Sequence, residues 1–140
     1  MVADTLTGTR RPASAKNSIP NPGRTVPPLR VGLFGIGLDT YWPQFKGLKA
    51  RLEGYLAAVE GKLRRPDVEV VNLGLIDSPP KAFAAGHRFR REDIDLLFLH
   101  VTTYALSSTV LPVVQRARVP VIILNLSPTP AIDYTRFNRQ

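Results

Sequence analysis

Four short runs of this chain are apolar at nearly every position: Arg30–Gly35 (RVGLFG), Val68–Leu75 (VEVVNLGL), Ile94–His100 (IDLLFLH) and Val119–Leu126 (VPVIILNL). Each has the length of a β-strand, and none alternates cleanly between apolar and polar residues. A strand that is apolar along both alternations must be covered on both faces. Segments with helical spacing separate the runs. Phe45, Leu48, Leu52, Leu56, Val59 and Leu63 recur at intervals of three and four, one face of a helix that Arg64-Arg65-Pro66 ends. Pro43 suits the first turn of that helix, where a missing N–H costs nothing. Pro79-Pro80 opens a second helix with Phe83 and Phe89 directed inward, and Ser107-Ser108 caps a third with Leu111, Val114 and Ala117 inward. Doubly covered strands alternating with helices imply a parallel sheet with right-handed crossovers. The expected fold is α/β: a Rossmann/flavodoxin-like parallel sheet of about four strands with helices on both faces. The last strand is the most apolar, and no clear helix or fifth strand follows it. The domain is therefore expected to be incomplete at its C-terminus, the front portion of a larger protein.

The expected domain covers residues 30–140, behind a basic tail at 1–29. Residues 1–30 carry Arg10, Arg11, Lys16, Arg24 and Arg30 against Asp4 alone, half of the net charge of +8. The tail is rich in Pro, Ser, Thr and Asn and is expected to be disordered. No aromatic residues interleave with its charges, so no nucleic-acid partner is expected. The chain has no cysteine, which excludes disulfides and thiolate metal sites. No apolar stretch approaches the roughly 20 residues of a membrane span, and no apolar run near the N-terminus reads as a signal peptide. A cytoplasmic location without a membrane partner is the expectation.

The first strand runs into Gly35-Ile36-Gly37, the opening of a dinucleotide-binding loop. That fingerprint needs a third glycine where Thr40 stands, and the stretch from Asp39 to Pro43 delays the helix. Asp77 after the second strand is only a lone match to a ribose-binding acid. Nucleotide binding is not favoured. A phosphoacceptor receiver domain would need an aspartate at the end of the third strand, where His100 stands.

Ligands of open parallel sheets bind beyond the carboxyl ends of the strands. Three loops meet there: Gly37–Gln44, His100–Ser108 and Asn125–Pro130. They offer hydroxyls, an amide, a carboxylate, an imidazole and three aromatic rings, a set suited to a polyhydroxylated ligand. The candidate substrate-binding residues are Asp39, Tyr41, Trp42, His100, Thr103, Tyr104, Asn125 and Ser127. The alternative for Tyr41, Trp42 and Tyr104 is packing on helix ends, and for His100 a structural role in orienting its loop. His87, among Arg88, Arg90 and Arg91, belongs to a solvated face. No Glu/His pair has ligand spacing and no Ser-His-acid set is apparent, so no catalytic or metal-ligating residue is expected in this chain.

Taken together, GLFGIGLDTYWPQFKGLKARLEGY, VVNLGLIDSP, DLLFLHVTTYALSSTVLPVVQRA and VPVIILNLSPTPAIDYTRFN resemble the N-terminal domain of the L-fucose/L-arabinose isomerase family, across about residues 30–138. The resemblance implies one domain of a multidomain aldose–ketose isomerase of carbohydrate metabolism. Such enzymes move a proton between adjacent carbons of an open-chain sugar. A divalent metal, usually manganese, polarises the two oxygens. The family's metal ligands and carboxylate base lie in other domains, so no cofactor is expected in this chain and no isomerase activity from it alone. The family role of the N-terminal domain is to build a trimer or hexamer and to close strand-end loops over a neighbouring subunit's sugar. By position, Tyr41 matches a family tyrosine, Asn125 stands where arabinose isomerases have a pocket glutamine, and Ser127 where they have a histidine. The alternative is a stand-alone sugar-binding or oligomerisation module.

Overall fold

The computed structural model describes residues 27–127 and 129. The basic tail up to residue 26 and the few helical residues expected after the fourth strand lie outside the described residues. The elements are β1 (Leu29–Ile36), α1 (Tyr41–Gln44), α2 (Leu48–Leu63), β2 (Val68–Ile76), α3 (Pro79–Arg91), β3 (Leu96–His100), α4 (Ser107–Ala117) and β4 (Val121–Leu124). The four strands form one sheet in the order β2-β1-β3-β4, and every pairing is parallel. This is a Rossmann/flavodoxin-like α/β fold. Its switch point lies between β1 and β3, from which the connections leave to opposite faces of the sheet.

Neighbouring strand residues point to opposite faces, and two cores result. Leu33 packs with Leu56 and Val59 under α2, with half-buried Val70, Phe98 and Leu124 around them. Phe34, the next residue, belongs to the larger core under α3 and α4 with Phe89, Leu97, Leu99 and Val113. The rings of Phe34 and Phe89 lie 6.1 Å apart at 53°. Each fully buried Leu, Val or Phe contributes about 1.5–3 kcal/mol. The larger core therefore holds most of the apolar stabilisation, and the smaller one rests on few side chains.

Helices α3 and α4 approach closely because Gly86 has no side chain. A Cβ there would lie 2.6 Å from the Pro112 carbonyl oxygen and 2.9 Å from Arg116 Cβ. At the amino end of the sheet, Arg30 ties three elements together. Its Nε lies 3.1 Å from Glu69 Oε2 and its Nη2 lies 3.2 Å from Glu92 Oε2. Its backbone N–H donates to Asp95 Oδ2 at 2.8 Å.

Several expectations from periodicity are corrected. The first helix is two pieces, because Gly47 takes a left-handed φ of 80° and separates α1 from α2. Phe45 falls in that break and is exposed rather than part of the apolar face. Phe83 is also exposed, with the Arg116 guanidinium 4.2 Å above its ring, whereas Phe89 is fully buried. In α4 the inward residues are Thr109, Val113 and Ala117. Leu111 faces out, since residues 109, 113 and 117 keep to one stripe and 111 lies on the opposite side. Ser107 and Ser108 lie inside α4 and do not cap it; its N-cap position is Leu106. The fourth strand is shorter than its apolar run, and β4 is not covered on both faces: Ile122 and Ile123 are both exposed.

Candidate functional site

The glycine-rich turn after β1 is held in place by its own backbone. The N–H groups of Gly37, Asp39, Tyr41 and Trp42 donate to Ile76 O, Asp77 O, Leu38 O and Asp39 O, at 3.0, 3.3, 3.0 and 3.1 Å. A phosphate cradle presents such groups free to the anion; here four of them are already spent on the fold. Gly37 serves a different purpose. A Cβ at this position would sit 3.0 Å from the Trp42 ring and 3.4 Å from Asp77 Cβ. The indole packs into the space that glycine leaves.

Trp42 Nε1 donates to Asp77 Oδ2 at 2.9 Å. Lys81, one turn into α3, brings its Nζ to 2.7 Å from Oδ1 and 3.0 Å from Oδ2. Asp77 is only 3% exposed. Burial pushes its carboxyl up. The hydrogen bonds from Lys81 and Trp42, with the charges of Lys81 and Lys49, outweigh that and hold it below the usual aspartate range. Asp77, Trp42 and Lys81 thus latch the loop after β1 to the end of β2. Trp42 is half-buried and makes this contact with its only ring N–H.

The loop after β3 closes over the end of β1. Thr102 donates its hydroxyl to the Ile36 carbonyl, and its methyl group would touch a Cβ built at Gly35. Just before it, His100 pairs in the sheet with Gly35 and Leu124 and lies on the α2 face with Phe98. His100 is 4% exposed and its Nδ1 has no hydrogen-bond partner among the described residues. Burial pushes its pKa down, so the imidazole is neutral near pH 7. A buried polar atom without a partner is uncommon and calls for a reason.

Open space lies beside the ring. A cleft of about 390 Å³ separates α2 from the carboxyl ends of β3 and β4. Arg51, Leu52 and Tyr55 of α2 form one wall, and His100, Thr102 and Thr103 form the other. A smaller recess of about 110 Å³ continues past His100 and Tyr55 towards Ser127. Of the eight candidate substrate-binding residues, this cleft and its recess collect His100, Thr103 and Ser127. Trp42 belongs to the latch, and Tyr41 meets Phe45 edge-on at 5.8 Å. Asp39, Asn125 and Tyr104 are exposed outside the cleft, Tyr104 by 61%. Arg51 and Tyr55 had no place in the loop-based expectation because they belong to a helix. Their spacing of four put them on one stripe beside Leu52 and Leu56, which was the available signal. Sequence spacing suggests only a ribose-binding acid at Asp77 and singles out nothing at Thr102.

The divalent metal implied by the resemblance does not fit this region. No group of three or more His, Asp or Glu residues among the described ones could hold a metal ion. His100 is a lone imidazole, and Asp77 is taken by Trp42 and Lys81. A larger hollow of about 510 Å³ runs along the outer edge of β2. Three of its four cations face acids: Lys49 faces Glu53 at 3.9 Å, Lys81 faces Asp77, and Arg88 faces Glu92 at 3.6 Å, while Arg91 makes no ion pair among the described residues. No helix among the described residues is long and apolar enough to cross a membrane. No family model, curated protein or solved structure matches the chain.

Proposed function

We propose that this chain is a sugar-binding α/β domain and, following the resemblance of its loops, the N-terminal domain of an aldose–ketose isomerase of the L-fucose/L-arabinose type. One observation carries the binding reading. A buried, neutral, unpartnered His100 lines a cleft at the carboxyl edge, next to the switch point where open α/β sheets take their ligands. The His100 ring adjoins the cleft, while its Nδ1 is itself buried from solvent. The Thr103 and Tyr55 hydroxyls stand ready for neighbouring sugar oxygens, and Leu52 offers an apolar wall to the C–H face.

On this reading the exposed loop residues Asp39, Tyr104 and Asn125 meet a neighbouring subunit in a homo-oligomer. The proton transfer and the divalent metal of the family reaction reside in other domains, so the chain alone isomerises nothing. The test uses the 140-residue chain with L-arabinose, L-fucose and L-arabinitol, followed by amide NMR. A parallel assay with Mn²⁺ looks for ketose. Saturable shifts at His100 and Thr103, with no ketose formed, are expected. Metal-dependent ketose formation would overturn the division of labour. No shift with any of the three sugars would overturn sugar binding.

A further inference from the structure

We infer that the cleft between α2 and the ends of β3 and β4 prefers a small hydroxylated anion, a polyol phosphate or hydroxy-carboxylate, over a neutral sugar. This rests on the reading of the carboxyl edge as a ligand site and adds the charge of the ligand to it. The cleft is lined by one cation, Arg51, and no carboxylate. Arg51 is exposed and makes no ion pair among the described residues. The β2-edge hollow is lined by Lys49, Lys81, Arg88 and Arg91, but with Glu53 among them and without the hydroxyl and imidazole groups of the cleft. A guanidinium presents a planar fork that matches both phosphate and carboxylate oxygens.

The polar groups also differ in burial. The charged group comes from exposed Arg51. The hydroxyls of Tyr55 and Thr103 share the walls with it, and the buried imidazole of His100 adjoins the inner recess. A ligand with an anionic head and a hydroxylated chain suits this lining: the head on Arg51, its hydroxyls on Tyr55 and Thr103. Inorganic phosphate reaches only the first, and a neutral sugar leaves Arg51 without a counter-charge. The volume lies near the small end of ligand sites, about 300–1,000 Å³, which suits a sugar-length chain rather than a nucleotide.

The test titrates the 140-residue chain with glycerol 3-phosphate, glycerate, glycerol and inorganic phosphate, observed by amide NMR. A titration with L-arabinose runs alongside. Glycerol 3-phosphate or glycerate, or both, is expected to shift Arg51, Tyr55 and Thr103 and to bind about tenfold or more tightly than glycerol or phosphate. The pair separates a phosphate head from a carboxylate head. Arg51→Gln is expected to weaken the anionic ligands by about tenfold or more, with partial recovery in Arg51→Lys. Arg51 is on the surface, and a circular dichroism melt confirms that both variants fold. Thr103→Val should weaken glycerol 3-phosphate and leave any inorganic phosphate binding unchanged. Binding of L-arabinose with no preference for the anions would overturn the inference and leave the sugar site standing. Phosphate binding as tightly as glycerol 3-phosphate would overturn it too, since the hydroxyl contacts would then contribute nothing. Silence towards every probe would remove both readings together.

Discussion

Asp77 shows how one buried carboxylate organises a loop. Trp42 and Lys81 reach it from two different segments, both hydrogen-bonding Oδ2 with Lys81 Nζ also 2.7 Å from Oδ1, and these contacts outweigh the cost of its burial. Because its pKa is depressed on folding, its contribution to stability is full above the unfolded value, about 3.9. As pH falls the unfolded chain takes up the proton first, and the contribution is lost as pH passes down through the folded pKa. Asp77→Asn is therefore expected to cost about 1–3 kcal/mol at pH 7, and the gap from wild type should narrow steadily below about pH 4. Urea unfolding followed by circular dichroism at pH 7 and pH 3 measures it. A gap that is the same at both pH values would show that the charge on Asp77 contributes nothing. His100 differs: it is neutral, buried and unpaired on Nδ1, which is a poor arrangement for stability alone.

At the scale of elements, α3 and α4 are held together by the space at Gly86 as much as by apolar side chains. The obstruction to a larger residue is the Pro112 carbonyl, which is backbone and cannot swing aside. Gly86→Ala gains helix propensity, about 1 kcal/mol, but forces the two helices apart at a cost of about 1–3 kcal/mol. We expect net destabilisation, read as a lower urea midpoint with an unchanged slope. An equal or higher midpoint would mean that α4 can shift to make room. The strand and helix order was legible from the four apolar runs, and observed strand limits fall inside or within a residue of those runs at most ends. Less legible were the break at Gly47 and the facing of Phe83 and Leu111. A periodic pattern says that a stripe exists. It does not say where a bulky residue on the edge of the stripe comes to lie once a neighbouring helix is in place.

For the molecule as a whole, the sheet is unevenly covered. Beyond β4 no strand pairs among the described residues, and Ile123 is 66% exposed. An apolar edge strand is a template for another chain. Ile123→Lys is expected to reduce concentration-dependent association without lowering the melting temperature, measured by light scattering and calorimetry. Association that is unaffected by this substitution would place the contact elsewhere. The cleft also exists only at this scale, since its walls come from residues about fifty apart in sequence, brought together by the parallel pairing of β1 with β3.

The sequence by itself determined the fold class, because doubly apolar strands alternating with helices have few solutions other than a parallel sheet covered on both sides. It also placed His100, Thr103 and Ser127 at the carboxyl ends, since they follow directly from the strands that carry them. Only the tertiary structure decided which polar residues share a cleft. Trp42 lies outside it because its indole found Asp77 across two loops. Arg51 and Tyr55 entered it because α2 lays one of its sides against the end of β3. Local pattern records what each segment must bury. Which polar groups then face one another depends on how distant segments pack, and spacing along the chain carries no record of that.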